Sequence, residues 1–503
     1  MIDLPRLRSR LFKNSATGTL QVLVSGLALF LLYRMLLTEL GPRDVGAWSL
    51  LMSLFGLSKI ADLGVSGGCV KFAARSAILG EHRAAMRVIW TTFLLTCLLV
   101  SPSVCVVYLI LAHVPALLPH VPAGTLHIII VPAMVATWLG LVANPMRAGL
   151  DSFQRTDLRH LCTATYSLGF YALAWYLVPR SGLFGLLLAQ CLASLVSGIL
   201  ASTLLVVINL RSKSPAVSRP EALWTITANL LRYGLSFQVS TIFAQLYEPL
   251  TKWLLGTRVD LTAVAWFELS SRVITQVRGL LVSAMEALVP FVSGLERGIE
   301  NPAFIDAYRS TIRLNSMLST AAYGALIWAL PLISSVLLRR YEREFVIFSV
   351  ILLMAWYINT LATPAYYFAQ GLGRQSWNVI AHIMIGVLNP LLSFLLIIVA
   401  HRLGAVLGFA LALIIGSIVL LGGFYRLSRI PIMRDLVHGA NLFNLALAGA
   451  GILFALIPVW VGTSSPLLIP LSGIMAVMVA SSLLLRREFR TLLMRAASLG
   501  GGL

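Results

Sequence analysis

A stretch near the start of the chain returns in its second half. Residues 34–48 read RMLLTELGPRDVGAW, and residues 252–266 read KWLLGTRVDLTAVAW, at an offset of 218. The match pairs Arg34 with Lys252 near the end of an apolar run. In a chain of biased composition one such match arises easily by chance, so a second match is needed before a repeat is inferred.

The second match lies further along each half. Residues 143–155 read ANPMRAGLDSFQR and residues 362–374 read ATPAYYFAQGLGR, which pairs Pro145 with Pro364 at an offset of 219. Two matches at nearly one offset, each in the same place within its half, indicate an internal repeat. We therefore expect two related halves, each built to the same plan.

Composition predicts that both halves lie in a membrane. The 503 residues are 58% hydrophobic and 11% charged, with a mean hydropathy of +0.89, whereas soluble proteins carry about 25% charged residues. Apolar runs of about 20 residues, enough to cross a bilayer as a helix, recur from end to end. The net charge of +19 is explained by loop cations that set topology, so no nucleic-acid partner is expected. The five cysteines form no CxxC pair, so neither a disulfide framework nor a metal site is indicated.

The apolar runs predict an all-α polytopic membrane protein with fourteen helices. We place them at about 17–38, 45–68, 88–112, 125–146, 161–178, 183–208, 230–254, 261–293, 314–337, 345–369, 376–400, 404–424, 441–461 and 465–485. With the N-terminus inside, cytoplasmic segments hold 26 of the 38 lysines and arginines, and external loops hold seven. This bias predicts that both termini are cytoplasmic.

The domain organisation follows from the repeat. We expect a six-helix lobe at 1–208, a Pro/Ser-rich basic linker at 209–229, a second six-helix lobe at 230–430, and two additional helices with a basic tail at 431–503. Six helices per half is an even number, so the repeats are parallel. Transporters of this kind hold substrate between the halves and alternate access by rocking them.

Two predicted helices carry polar stripes at helical spacing. Helix 7 aligns Gln238, Thr241, Gln245, Glu248 and Lys252, and helix 8 aligns Glu268, Arg272, Thr275, Gly279, Ser283 and Glu286, flanked by Gln276 and Arg278. A polar stripe that faced lipid would be costly, so both predict a wet cavity or contact with protein. The structural alternative is that Glu248–Lys252 and Glu268–Arg272, each four residues apart, neutralise each other within one helix.

Helix 2 adds Lys59 and Asp62, inside the apolar stretch SLFGLSKIADLGVSGG at 53–68. With Arg232 at the start of helix 7 counted among the cytoplasmic cations, the lysines and arginines that fall within predicted spans are Arg34, Lys59, Lys252, Arg272 and Arg278. All lie in the first two helices of a half, and a cationic cavity between the lobes suits an anionic substrate. Arg34 and Lys252 also fit the alternative of snorkelling to outer headgroups.

Four intramembrane carboxylates have a different candidate role. Asp62, Glu248, Glu268 and Glu286 are candidates for coupling to H⁺ or Na⁺, because burial raises and a neighbouring cation lowers a carboxylate's pKa. Since the sequence shows no Gly-rich phosphate loop, metal-ligand cluster or nucleophile elbow, it does not indicate an enzyme.

The opening of each half resembles a known family. LGPRDVGAWSLLMSL at 40–54, KIADLGVSGG at 59–68, YGLSFQVSTIFAQLYEPLTKWLLG at 233–256 and AQGLGR at 369–374 are similar to the Wzx-type polysaccharide or O-antigen flippases. These belong to the multidrug/oligosaccharidyl-lipid/polysaccharide (MOP) superfamily. The resemblance extends over about the first 430 residues, and the last two helices are additional to the family's twelve-helix core.

This resemblance implies a flippase for an undecaprenyl-diphosphate-linked oligosaccharide in the bacterial inner membrane. It implies cationic residues near the diphosphate, carried over by location to Lys59, Arg272 and Arg278. Membrane lipids, and the polymerase and glycosyltransferases of the same pathway, are the implied partners. A lipid II flippase and a MATE-like small-molecule or ion antiporter are the alternatives within the fold, and a membrane glycosyltransferase is disfavoured because no loop is large enough for its site.

Overall fold

The computed structural model describes residues 4–114, 117–211, 222–235, 238–286, 288–293, 298–430, 439–461 and 468–482. Seven helices within these residues are long and apolar enough to cross a membrane. An eighth crossing is a pair, Gly41–Asp62 and Val65–Ile78, bent by 46°. The described chain is therefore a bundle of membrane-spanning helices.

Two of the seven helices are too long for one crossing. Thr156–Arg211 has 56 residues and Ser376–Ser428 has 53. At 1.5 Å per residue each would be about 80 Å long, against a hydrocarbon core of about 30 Å. Each bends sharply, at Gly182 and at His401, and so supplies two crossings.

Together with the more polar helices 7 and 8 and two shorter apolar helices near the C-terminus, the described residues form fourteen crossings, as predicted. They run over Leu4–Glu39 (helix 1); Gly41–Gly56, Leu57–Asp62 and Val65–Ile78 (helix 2); His82–His113 (helix 3); Ala123–Val142 and Asn144–Ser152 (helix 4); Thr156–Arg211 (helices 5 and 6); Leu223–Leu235 and Gln238–Arg258 (helix 7); Leu261–Glu286 and Leu288–Ser293 (helix 8); Pro302–Leu338 (helix 9); Arg343–Leu361 and Thr363–Gly371 (helix 10); Ser376–Ser428 (helices 11 and 12); Gly439–Val461 (helix 13); and Leu468–Ser482 (helix 14). A short 3-10 turn, Gly298–Glu300, precedes helix 9.

Element boundaries recur at the spacing of the sequence repeat. Helix 4 is interrupted before Asn144 and helix 10 before Thr363, which are paired in the second sequence match, and a proline follows each. Proline lacks an N–H group and fits the first turn of a new helix, so the matched prolines place the two breaks. Gly182 and His401, where the two longest helices bend, are separated by the same offset. The backbone thus follows the repeat.

The described contacts group the chain into two compact units, Met1–Ala265 (unit 1) and Trp266–Leu503 (unit 2). The core of unit 1 packs helices 2, 3, 4, 5, 6 and 7 around residues such as Ile89 and Leu150. A core of unit 2 packs helices 8, 9, 10 and 12 around residues such as Tyr308 and Phe368. The lobes expected from the sequence repeat, 1–208 and 230–430, stay a prediction.

Helices 13 and 14 pack against helix 9 within unit 2. Trp328 Nε1 donates a hydrogen bond to the Leu447 carbonyl at 2.9 Å, and the Tyr341 hydroxyl donates to the Ala455 carbonyl at 2.7 Å. Tyr341 lies in the loop before helix 10, and burial raises its pKa to about 12. These two bonds attach helix 13 to helix 9 and to the adjoining loop.

Candidate functional site

Helix 2 is not the continuous helix that the sequence predicted at 45–68. Its middle is a 3-10 segment, Leu57–Asp62, and the next two residues, Leu63 and Gly64, have positive φ values of 50° and 73°. Left-handed backbone ends a helix, because the next residue can no longer continue the hydrogen-bond ladder. Broken helices of this kind often mark ligand sites in transporters.

The break is closed by hydrogen bonds from neighbouring groups. The Ile60 carbonyl accepts a hydrogen bond from Leu63 N at 3.3 Å and from Gln238 Nε2 at 2.8 Å. Gln238 is buried, with 6% of its surface exposed. Gln238, which was predicted to lie on a polar stripe, therefore satisfies a carbonyl that lacks its helical partner at the break.

Asp62 does not form an ion pair with Lys59 among the described residues. Its Oδ1 accepts hydrogen bonds from the hydroxyls of Ser66 at 3.0 Å and Thr96 at 3.1 Å, and its Oδ2 accepts from Ser66 N at 3.3 Å. The carboxylate thus accepts hydrogen bonds at the N-terminus of the second half of helix 2, where the helix dipole favours negative charge. Lys59 is exposed and has no ion-pair partner in the described part of the chain.

A polar cavity of about 430 Å³ lies beside this break, inside unit 1. It is lined by Lys59, Asp62, Ser66, Gly67, Thr96, Val100, Leu141, Asn144, Arg147, Ala148, Asp151, Arg159 and Thr163. Helices 2, 3, 4 and 5 supply these residues. The cavity has room for many water molecules, since one water occupies about 30 Å³ in the liquid.

Two arginines that line the cavity, Arg147 and Arg159, were not predicted as site residues. Arg147 Nη2 donates to Asn144 Oδ1 at 2.8 Å and to the Gly140 carbonyl at 3.0 Å. Arg159 Nε donates to Asp151 Oδ1 at 2.8 Å. The apolar run predicts that helix 4 ends at residue 146 and that the cations beyond it lie in a topology-setting loop. The structure continues helix 4 to Ser152, which brings Arg147 and Asp151 into the bundle.

The predicted stripe on helix 7 contains one buried cation. Lys252 is 3% exposed and its Nζ lies 3.7 Å from Glu248 Oε2, so the pairing considered from the sequence is present. Thr241 and Gln245 are half-buried. Arg34, the partner of Lys252 in the repeat, is exposed near the end of helix 1. None of these residues lines the unit 1 cavity.

The predicted stripe on helix 8 contains a second intrahelical pair. Arg272 Nε lies 2.6 Å from Glu268 Oε1, with the carboxylate buried and the arginine side chain half exposed. The Thr275 hydroxyl donates to the Ser271 carbonyl, and Gln276 is half-buried. The Glu286 side chain lies outside the described residues. The intrahelical pairing that the sequence offered as the structural alternative is therefore present in helix 8.

Arg278 is held by protein groups in unit 2. Its Nη2 donates to Asn359 Oδ1 at 3.1 Å, and its guanidinium carbon lies 4.6 Å from the centroid of the Trp356 ring. Asn359 in turn donates to the Ser417 hydroxyl at 3.0 Å. A cation over an aromatic face is stabilised by the ring quadrupole. The arrangement anchors Arg278 between helices 8 and 10.

The fold has close counterparts among solved transporters. An inward-facing multidrug resistance MATE family transporter of the MOP superfamily matches with a TM-score of 0.65 and 17% identity, over 80% of this chain and 95% of that one. The lipid II flippase MurJ in an inward closed conformation matches with a TM-score of 0.64 and 12% identity, over 93% and 98%. A MOP superfamily transporter from Pyrococcus furiosus, described by a reverse polarity of its binding pocket, matches with a TM-score of 0.55 and 16% identity, over 86% and 96%.

These matches define the fold of the chain: it is an all-α, multi-span membrane protein with the fold shared by these MOP superfamily transporters. No curated protein sequence matches the chain. Residues 11–296, more than half of the chain, match the family model described as polysaccharide biosynthesis protein. The chain belongs to that family, which confirms the relationship expected from the resemblance.

Proposed function

We propose that this transporter flips an undecaprenyl-diphosphate-linked oligosaccharide from the cytoplasmic to the outer leaflet of the bacterial inner membrane, by alternating access, for surface polysaccharide export. Membership of the polysaccharide biosynthesis family supports a glycan cargo. The fold shared with the lipid II flippase supports movement of a lipid-linked one. The glycosyltransferases and polymerase of the same pathway are the partners that such a step requires.

The observation that carries the proposal is Lys59 in the cavity of unit 1. A lysine within a span is costly unless it is paired or wetted, and the nearest carboxylate in sequence, Asp62, is engaged by hydroxyl groups instead. A cation that lines a cavity inside a membrane-spanning bundle, with no ion-pair partner among the described residues, suits an anionic cargo. Lipid-linked oligosaccharides carry their negative charge next to the lipid, at the group that must cross the membrane interior.

The test is export in cells that lack their own copy of the transporter. We expect Lys59→Ala to abolish surface polysaccharide while the protein still reaches the membrane, and Lys59→Arg to retain part of the export because charge survives. The matched control is Arg75→Ala, which removes an exposed cation of helix 2 that does not line the cavity. Full export by the Lys59→Ala variant contradicts the proposal.

One observation favours a second function, cation-coupled antiport of a small molecule. Asp62 and Asp151 line the same cavity as Lys59, and carboxylates inside a span serve as proton or sodium sites in pumps. Reconstituted protein distinguishes the two functions. A flippase moves a fluorescent lipid-linked oligosaccharide between leaflets, whereas an antiporter expels a small molecule only when a proton or sodium gradient is imposed. The same vesicles loaded with lipid II test the remaining alternative.

A further inference from the structure

Arg278 carries a positive charge that no carboxylate balances among the described residues of unit 2. Its Nη2 donates to the neutral amide of Asn359, and its guanidinium lies over the Trp356 ring. The titratable side chains whose charges interact with it are Tyr323, Tyr366, Tyr367 and His382. A phenol supplies no negative charge at neutral pH, and neither does an imidazole. A cation in this state is costly within a membrane-spanning helix.

Two N–H donors beside this charge have no acceptor in the described part of the chain. Arg278 Nε and Trp356 Nε1 are both buried, and neither donates a hydrogen bond to a described residue. They belong to neighbouring side chains, because the guanidinium carbon lies 4.6 Å from the centroid of the Trp356 ring. A buried donor without a partner is unfavourable, and more so when its group is charged. The two donors therefore suit an acceptor that also carries negative charge.

The repeat shows that unit 1 supplies carboxylates where unit 2 supplies none. The cavity lining of unit 1 includes the carboxylates of Asp62 and Asp151. At the offset of 219, Asp151 corresponds to Gln370 and Asp62 to Leu281, and at the offset of 218 Asp62 corresponds to Leu280. The second half therefore replaces both carboxylates with neutral residues, whichever offset applies.

The cations of the two halves differ in the same comparison. At the offset of 219, two cations of the unit 1 cavity, Arg147 and Arg159, correspond to the neutral Tyr366 and Asn378. The third, Lys59, corresponds to Arg278. Three cations and two carboxylates are thus replaced by one cation and no carboxylate. A single positive charge without a carboxylate suits a single monovalent anion.

We infer that unit 2 binds one monovalent inorganic anion of the halide class, with chloride as the ion available in cells, through Arg278 Nε and Trp356 Nε1. One such ion satisfies both donors and balances the charge, whereas a water molecule satisfies the donors alone. The Arg278 side chain is half-buried, so a small ion can reach it. The bound ion joins helix 8 to helix 10 and stabilises unit 2. This site goes beyond the proposed function, because it does not depend on the cargo.

The experiment measures the binding of radioactive chloride to purified full-length protein in detergent, in a sodium gluconate buffer of constant ionic strength. Arg278→Gln removes the charge but keeps an amide that can donate to Asn359. Trp356→Phe removes the indole N–H and keeps an aromatic ring. Thermal unfolding in gluconate identifies any variant that fails to fold, and Trp356→Phe still tests the site if Arg278→Gln fails.

Each variant has a matched control within unit 2. Arg402→Gln removes an arginine that is already paired with Glu344. Trp328→Phe removes an indole N–H that already has an acceptor, the Leu447 carbonyl. Both controls lose the same chemical group as the test variants, but from a place where protein groups already satisfy it.

We expect the wild-type protein to bind chloride saturably and to unfold at a higher temperature in chloride than in gluconate, because a ligand that binds only the folded state stabilises it. Arg278→Gln should weaken chloride binding about tenfold or more, since it removes the charge and a charge-assisted contact. Trp356→Phe should weaken it less, since it removes one neutral hydrogen bond. The two controls should bind chloride as the wild-type protein does.

Competition with unlabelled anions identifies the class of ligand. Displacement of the chloride by bromide, and not by inorganic pyrophosphate, supports a halide site. Displacement by pyrophosphate at lower concentration than bromide would assign Arg278 to a phosphate group instead and overturns the inference. Two further results overturn it: no saturable binding of chloride by the wild-type protein, or full binding by the folded Arg278→Gln and Trp356→Phe variants.

Discussion

Asp62 accepts a hydrogen bond from the Thr96 hydroxyl at 3.1 Å, and this bond joins the break in helix 2 to helix 3. The carboxylate at this break is therefore part of the scaffold of the cavity. Its removal affects the folded protein in a different way from removal of the neighbouring Lys59, which has no such partner in the described part of the chain.

The double variant Lys59→Ala/Asp62→Ala tests this separation. Asp62→Ala removes the hydrogen bonds that the carboxylate accepts from Ser66 and Thr96 and should cost about 1 kcal/mol of stability, measured as a lower midpoint of thermal unfolding. Export should stay absent in the double variant, because Asp62 is not held by Lys59 and its removal restores nothing. Full rescue of export would reduce Lys59 to one half of a structural ion pair.

The membrane topology is tested with reporter fusions. The split of 26 cytoplasmic to seven external cations predicts that fusions at positions 215, 300 and 490 report from the cytoplasm, and those at 118 and 463 from outside. Enzymatic reporters active on only one side of the membrane make the measurement. An external signal at position 300 would contradict the assignment of eight crossings before it.

The cavity should contain water. In a background without the five native cysteines, Thr163→Cys should react with a membrane-impermeant thiol reagent, because Thr163 lines the cavity. Ser167→Cys, one turn further along helix 5, should react far less, because Ser167 packs against Ser25 of helix 1 at 2.9 Å. Equal labelling at both positions would mean that the reagent does not distinguish the cavity from the helix packing.

Substitution of Arg278 should lower the stability of the protein, because its side chain is held by other protein groups. Arg278→Ala removes a charge-assisted hydrogen bond to Asn359 and a cation–π contact with Trp356, each with a typical contribution of about 1–3 kcal/mol. We expect a clear fall in the thermal midpoint, and a smaller one for Arg278→Lys. An unchanged midpoint together with lost export would return Arg278 to the substrate-binding role predicted from the sequence.

Two glycines of helix 2 should respond in opposite ways to substitution by alanine. A Cβ on Gly46 would collide with the Leu261 carbonyl oxygen, which belongs to backbone that cannot move aside easily, so Gly46→Ala should cost about 1–3 kcal/mol or more. Gly56 has no neighbour within 4 Å of an added Cβ, so Gly56→Ala should be neutral or stabilise by up to about 1 kcal/mol. Thermal unfolding of the two variants makes the comparison, and a similar loss in both would show that the close approach at Gly46 is not what matters.

Much of the fold was predictable because bilayer thickness imposes a helix length that the apolar runs reveal directly. The repeat was also visible, since Pro145 and Pro364 mark helix breaks that the structure places at equivalent points of the two halves. The break in helix 2 was not predictable in the same way. Leu63 adopts a left-handed conformation that its side chain does not favour, and tertiary contacts such as that between Gln238 and Ile60 stabilise it.

The candidate site was only half predictable. Lys59 and Asp62 were conspicuous because a charge is rare in an apolar run. Arg147 and Arg159 follow the apolar core of helix 4, where cations usually set topology, so nothing in their local sequence distinguished them. Which cations share a cavity depends on how helices 2, 4 and 5 pack, and that information is spread over the whole of unit 1.

The turns at Gly182 and His401 use the same unusual backbone, with φ and ψ of 55° and −134° at the first and 45° and −119° at the second. Glycine accepts these angles freely, whereas a residue with a Cβ is strained there by about 1–3 kcal/mol. The residues of the first half therefore indicate which substitutions would stabilise the equivalent positions of the second half. His401→Gly, which installs the residue found at the equivalent turn, should therefore give a protein that is more stable when it is extracted from the membrane. Other positions at which the two halves share a backbone conformation but differ in side chain can be tested in the same way.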